Sequence, residues 1–278
     1  MSRLVVTGYA SLDFAVRLDG QAQGDRTTLI ADRDAGAWPR AGGCPTYIAG
    51  AVVRSGQAAS PVMWVGTGAE GQGFVGKIDA QGIGTEGIGL VDSPRSPTAL
   101  MVYQADGSCM CLYDPALDRG EVLMDAQKDL IASASHLCIS VGPPQLMDEI
   151  VSLCPRDARL YWAVKNDTDA FPDAIRARLS ARADVIFHAR SERPLIGAND
   201  AVLVETRGPD CVCVTQGDEK TEIAVTPIDI ADTTGAGDTF AGGFIAAEMA
   251  GADPVAAARA GIAAAATLLS ERKRRQEQ

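Results

Sequence analysis

The stretch Asp232–Phe244, DTTGAGDTFAGGF, places three small residues between two acids at the mouth of an apolar helix. Gly235, Ala236 and Gly237 cannot fill a core, but they can leave backbone N–H groups bare. The run TEIAVTPID (221–229) reads as a strand leading into Asp232-Thr233-Thr234, and FAGGFIAAEMAG (240–251) continues as a helix behind the glycines. Bare N–H groups at a helix N-terminus form a positive pocket for an anion, reinforced by the helix dipole. Asp238 then falls beside that anion in the first turn. A carboxylate there suits a base that takes the proton of a hydroxyl attacking a phosphoryl group, while the amides stabilise the developing charge. The plainer alternative is that Asp238 only caps a glycine-rich helix start.

Outward from this motif, short β-rich runs alternate with longer helical patterns, which predicts an α/β fold with a mainly parallel sheet covered on both faces. RLVVTG (3–8), VMWVG (62–66), LCISV (137–141), RLYWAV (159–164), DVIF (184–187) and CVCVT (211–215) read as strands. Helices are expected to begin near Pro45, Gly73, Pro144, Phe171, Asn199, Gly235 and Asp253. Two stretches break the rhythm: Phe14–Ala41 is polar-rich and alternating, and TALMVYQADGSCMCLY (98–113) reads as two strands about Asp106-Gly107. Together they predict a small extra sheet, roughly 14–41 and 98–113, placed either as a flap over a site or as a dimer surface. No repeat, low-complexity segment or linker divides the chain, so one continuous domain over 1–278 is expected.

The chain has 278 residues, 46% of them hydrophobic, enough for a substantial core. No window reaches 18 unbroken apolar residues and MSRLVVTGYASLD lacks a secretory h-region, so a soluble cytoplasmic protein is expected. A net charge of −11 disfavours nonspecific nucleic-acid binding. The one basic run, ERKRR (271–275), reads as a solvated helix end whose cations suit the dipole. Seven cysteines without a CxxC, and only two histidines, give no zinc pattern and predict reduced thiols in core or strands.

Two glycine patterns remain. GQGFVG (71–76) matches GxGxxG, with Asp92 about where a ribose acid would stand, and GQGFVGKI nearly completes a P-loop except for Ile78 in place of Ser or Thr. Both matches are weak, because the run does not form the tight strand-to-helix turn that either motif needs. In AGGCPTYIAGAVVRSG (41–56), Gly42-Gly43 permits a sharp turn or close approach to a ligand, and Pro45 opens a small-residue helix.

DTTGAGDTFAGGF, GGCPTYIAG and the early Asp13 of GYASLD together resemble the ribokinase family, also called the PfkB carbohydrate kinases. The resemblance runs in register over nearly the whole chain and includes VGTGAEGQGFVGKIDAQGIGTEGI (65–88). It implies a ribokinase-like fold with a β lid and an ATP-dependent, magnesium-dependent kinase. By that likeness Asp13, Gly42 and Gly43 bind substrate hydroxyls beside Tyr47, Gly235 to Gly237 form the anion hole, and Asp238 is the catalytic base. Glu192 in ARSE organises magnesium through water, Thr215 and Gly217 in VTQGDEK and Thr234 lie near nucleotide phosphates, and Asp232 is a monovalent-cation (potassium) ligand.

Several positions depart from the family pattern. Tyr47 replaces a substrate-binding Asn, which enlarges and greases that part of the pocket. Ala189 replaces the Asn expected before Glu192, Lys220 takes the place of a second glycine after Gly217, and Gly261 replaces an Asn near the nucleotide. The chain ends after TLLSERKRRQEQ (267–278), where relatives carry a loop that helps bind potassium and line the adenine pocket. Cys44 after the diglycine supplies no cation for a phosphosugar, which favours an unphosphorylated sugar or polyol. Tyr47 and Trp38 as stacking surfaces keep a nucleoside open. A homodimer joined lid to lid is the expected assembly, and a ligand-binding protein that kept the fold without turnover is the alternative of another class.

Overall fold

Strand β1 (Arg3–Thr7) buries Leu4 and Val6 on one face and Val5 on the other, so both faces of the sheet it enters must be covered. The computed structural model describes residues 3–33 and 38–276 and shows this pattern along the sheet. Tyr161 and Ala163 of β10 (Arg159–Ala163) join the core of Leu4, while Leu160 and Trp162 join that of Val5. The same division holds for Val185 and Phe187 against Ile186 in β11 (Val185–Ala189). These two-sided strands therefore read as continuous apolar runs.

The remaining strands of this sheet are β5 (Ala58–Gly66), β6 (Ile88–Val91), β9 (His136–Ile139), β12 (Val202–Thr206), β13 (Cys211–Gln216) and β14 (Glu219–Ala224). Their order is β14-β13-β12-β11-β10-β9-β1-β5-β6. The seven from β6 to β12 are parallel, and β13 and β14 close the other edge antiparallel. Helices α1 (Cys44–Arg54), α2 (Ala69–Asp79), α6 (Ala236–Met249) and α7 (Pro254–Gln276) cover one face. Helices α3 (Asp125–Ala132), α4 (Pro144–Leu153) and α5 (Asp173–Arg182) cover the other.

A second sheet is built from the two stretches that break the rhythm. Strands β2 (Ser11–Leu18), β3 (Ile30–Arg33), β7 (Thr98–Tyr103) and β8 (Cys109–Asp114) run in the order β3-β2-β7-β8, and β4 (Arg40–Gly42) pairs with β2. Residues 34–37 of the first stretch lie outside the described residues. The β7–β8 turn carries Gly107 at φ +83°, and Asp106 accepts from the Ser108 amide at 2.9 Å. All seven cysteines are free thiols, and among the described residues no helix is long and apolar enough to cross a membrane.

Three sequence expectations change. The helix expected near Asn199 is strand β12: Asn199 accepts from the Ala201 amide, and Val202 and Val204 enter the core between β11 and β13. Helix α3 was not foreseen; buried Gln127 anchors it, accepting from the Met124 amide and donating to Gly87 O. ERKRR is not a uniformly solvated end, because Arg272 is only 3% exposed.

The GxGxxG run is a helix interior. A Cβ on Gly71 would lie 1.8 Å from Gly66 O, so this glycine lets α2 pack against the end of β5, whereas Gly73 and Gly76 face open space. Gly71→Ala is therefore expected to destabilise by about 1–3 kcal/mol through overpacking. Gly73→Ala and Gly76→Ala should be neutral or stabilising by up to about 1 kcal/mol, the helix-propensity gain. Denaturant midpoints test this, and three equal losses would return the run to a ligand loop.

Candidate active site

Gly235 caps α6 in the left-handed region at φ +71°, a conformation open to glycine and strained for other residues. The turn uses the Ala236 amide internally, donating to Thr233 O at 3.0 Å. Among the described residues, the Gly237 and Asp238 amides find no protein acceptor, and a Cβ on Gly237 would meet nothing within 4 Å. The open part of the cradle is thus Gly237–Asp238, with Gly235 and Ala236 shaping it.

Asp238 is buried at 9% exposure, and Lys165 Nζ stands 3.2 Å from its Oδ1. The Asp238 charge raises the Lys165 ammonium further above its usual range, against the opposing effect of burial. Lys165 follows the C-terminal end of β10, on the edge of a parallel sheet where ligands bind. That position was the signal that could have found it. Burial pushes the Cys44 thiol up, and the Asp238 charge adds to the effect.

Gly42 and Gly43 let the junction of β4 and α1 come against strand β2 and the β1–β2 connection. A Cβ on Gly42 would lie 2.1 Å from Asp13 Oδ2, and one on Gly43 would lie 2.1 Å from Tyr9 O. Asp13 receives Ser11 Oγ at 2.5 Å on Oδ1 and Tyr47 Oη at 2.8 Å on Oδ2. Burial raises the Asp13 carboxyl above its usual range, although these hydrogen bonds and Arg40 work the other way. Each carboxylate oxygen has two lone pairs, so Asp13 retains capacity for a ligand hydroxyl.

Tyr47 does not grease and widen the pocket as expected. Its hydroxyl is committed to Asp13 and its ring lies over Gly235, 2.5 Å from where a Cβ there would stand. The ring thus ties Asp13 of β2 to the turn before α6. Trp38 packs edge-on against Phe14 at 4.9 Å under the Arg33 guanidinium at 5.2 Å.

Asp232 lies in a buried ion-pair cluster. Arg40 Nη1 is 2.5 Å from Asp232 Oδ2, Arg272 Nη1 is 3.5 Å from Oδ1, and the Thr234 amide donates to Oδ1 at 3.1 Å. Burial opposes the Asp232 charge, but the two arginines prevail and bring its carboxyl down to about 2. An acid that titrates below its ordinary value of 3.8 contributes stability present above that value and lost as pH falls toward 2. The contribution is roughly 2 kcal/mol, so stability should fall steeply over that window in acid titration, and less so in Asp232→Asn. Tyr103 of β7 reaches the same loop through Thr234 Oγ1 at 2.7 Å, joining the second sheet to the turn.

The turn expected near the nucleotide, Thr215–Gly217, does not face the open start of α6. β13 runs antiparallel to β12, with Thr206 opposite Val212 and Leu203 opposite Thr215. Thr215 and Gly217 therefore lie at the end of the sheet away from the N-terminus of α6, where Gln216 shares a hollow with Arg159, Asp184 and Glu248 near the C-terminal end of that helix. Lys220 lies at that same end, opposite Thr215, so it stands in no phosphate loop. The turn that faces the site is Thr206–Asp210, with Gly208 at φ +58°. Thr206, Gly208 and Pro209 line a cavity of about 470 Å³ with Thr233, Gly237, Ile262 and Leu269. Gly261 packs α7 against α6, since a Cβ there would lie 2.7 Å from Phe240 O.

Glu192 sits in the 3₁₀ turn Arg190–Leu195, and its Oε2 accepts from the Ala189 amide at 2.7 Å. Its charge adds to that of Asp238 in raising the Lys165 ammonium. No cluster of three or more metal-ligating side chains occurs among the described residues.

A parallel sheet covered on both faces, with an open helix N-terminus beside a buried acid and a second sheet reaching the same loop, defines a ribokinase-like α/β fold. The model of the pfkB family carbohydrate kinases matches residues 1–276, and the chain belongs to that family. It is a phosphotransferase acting on a hydroxyl group. The chain is 24% identical over 272 residues to a nucleoside kinase of Methanothermobacter thermautotrophicus, covering 90% of this chain and 84% of that one. Ribokinase from Cryptococcus neoformans var. grubii serotype A in complex with ADP superposes with TM-score 0.80 at 19% identity, covering 95% of this chain and 93% of that one. Burkholderia thailandensis nucleoside kinase in complex with inosine gives TM-score 0.77 at 19% identity, covering 94% and 90%.

Proposed function

We propose that the protein transfers the γ-phosphoryl group of ATP to a hydroxyl of a small unphosphorylated sugar or polyol. The observation that carries this is the meeting of Asp238 with two open amides at the N-terminus of α6. Asp238 accepts the hydroxyl proton, the Gly237 and Asp238 amides hold the transferring group, and Lys165 neutralises charge beside it. Asp13 holds and orients the acceptor. Adenine enters the cavity between Thr206–Pro209 and α7, whose volume of about 470 Å³ is within the usual range for such ligands.

Magnesium commonly takes one or two carboxylates together with substrate phosphates and water, and a lone Glu192 fits that mode. Bound there, the ion would neutralise phosphate charge. The cations near the acceptor side favour an unphosphorylated acceptor: Lys165 is balanced by Asp238, and Arg40 by Asp232. A phosphosugar would have to compete with both carboxylates.

A nucleoside acceptor is the second reading. Tyr9 and Tyr113 contact each other at 5.5 Å and 50°, and Tyr9 lines a cavity of about 240 Å³ with Asp114, Arg119 and Asp167. Such rings can take a base face. ADP release from Mg-ATP across free sugars, polyols and nucleosides tests both readings. Acceptor-dependent release names the class, and silence from a folded protein that ATP stabilises would favour a binding protein without turnover. Lid-to-lid dimerisation would cover the exposed Met110 and Leu112 of β8, and a monomer mass in solution scattering would remove it.

A further inference from the structure

Potassium is held by oxygen acceptors that replace its water shell. The acceptors around Asp232 are instead committed to a guanidinium. Arg272 Nη1 lies 2.5 Å from Thr234 O, 3.4 Å from Asp232 O and 3.5 Å from Asp232 Oδ1, while Arg40 holds Oδ2. The cluster has donors to spare: Arg40 Nε and Nη2 and Arg272 Nε are buried without a partner. A second cation would bring another positive charge to two arginines and would find its oxygens occupied. The residues present do not fit a monovalent cation at Asp232.

We propose that Arg272 is a built-in replacement for that cation, a positioning residue that holds the Asp232–Thr234 turn from the last turns of α7. Three observations converge on this role. Arg272 is 3% exposed although its neighbours Arg274 and Arg275 are exposed. It reaches back 38 residues to the turn that immediately precedes Gly235. Its guanidinium also lies 5.8 Å over the Tyr47 ring, which itself covers Gly235. One side chain therefore holds both the turn before Gly235 and the ring that covers it. The kinase is accordingly independent of potassium. Only the consequence for phosphate binding rests on the function proposed above; the replacement of the cation does not.

The test compares the parent, Arg272→Ala and Arg272→Lys in potassium chloride and in tetramethylammonium chloride at equal ionic strength. Thermal midpoint without nucleotide and Mg-ADP affinity by calorimetry are both read. The parent should show the same midpoint and affinity in either salt. Arg272→Ala should lose roughly 10- to 100-fold in Mg-ADP affinity, the span typical of partners that orient a site from behind. Potassium or added guanidinium should restore part of that loss and part of the midpoint, and Arg272→Lys should keep most of both.

A parent that binds Mg-ADP more tightly in potassium, or gains midpoint from it, overturns the proposal without any variant. An Arg272→Ala variant that neither cation improves also overturns it, since Arg272 would then act by packing alone. If Arg272→Ala does not fold, the parent's salt comparison and Arg272→Lys still decide. A parent that binds no Mg-ADP in either salt would sink the kinase reading, while the midpoints would still report on the cation.

Discussion

Asp238→Asn should fold like the parent and lose about 10² to 10⁴ in turnover, the usual span for a general base. The substitution preserves shape and a hydrogen-bonding oxygen in the first turn of α6, and it removes the group that accepts the proton. Lys165 loses its counter-charge at 3.2 Å, but it is about one-third exposed and can be solvated. The thermal midpoint should therefore move little and Mg-ADP affinity should remain within a fewfold of the parent. The loss should fall on kcat rather than on binding, because the missing interaction is made only as the acceptor proton leaves. Near-parental turnover with the identified acceptor would remove Asp238 as the base. A collapse of folding and binding together would assign it to capping.

Gly235→Ala should give a large structural effect for a single methyl group. The left-handed backbone at φ +71° costs an alanine about 1–2 kcal/mol, and overpacking against the Tyr47 ring adds about 1–3 kcal/mol. Relief by moving Tyr47 would pull its hydroxyl from Asp13, so damage at the phosphate cradle spreads to the acceptor side. We expect a midpoint drop, weakened Mg-ADP binding and loss of turnover. Adding Tyr47→Ala should recover the steric part and leave the backbone part. In a double-mutant cycle that recovery is a coupling energy of about 1–3 kcal/mol between residues in contact. Strict additivity would show that the ring does not press on Gly235.

Much of the open helix start was legible because it is local. Gly235, Ala236, Gly237 and Asp238 follow one another in a turn and a first helical turn, where geometry follows from small residues and from the four unpaired amides of any helix start. The two-sided sheet was equally legible, since strands such as Val185–Ala189 must be apolar on both faces. The pair of stretches that supply the second sheet announced themselves by breaking the helix-strand rhythm.

Which turn faces the open start of α6 was not legible, for a definite reason. Thr206-Arg207-Gly208 and Thr215-Gln216-Gly217 end two similar apolar runs with the same Thr-x-Gly pattern. Composition cannot say which strand runs toward the site. A helix from 199 onward leaves no place for β12, and so none for the turn at Gly208 that follows it. Only antiparallel pairing of β13 on β12 shows that Gly217 is carried away from the N-terminus of α6 while Gly208 is carried toward it.

By itself, then, the sequence determined the class of fold, the open helix start at Gly235–Gly237 and the acid beside it, because each depends on residues adjacent in the chain. The tertiary structure alone decided which cations balance those acids. Arg40 reaches Asp232 across 192 residues and Lys165 reaches Asp238 from another strand end, while Arg272 leaves an outwardly basic helix tail to enter the core. Ion pairs of this kind are chosen by the packing that brings distant charges out of water together, and no local pattern carries that information.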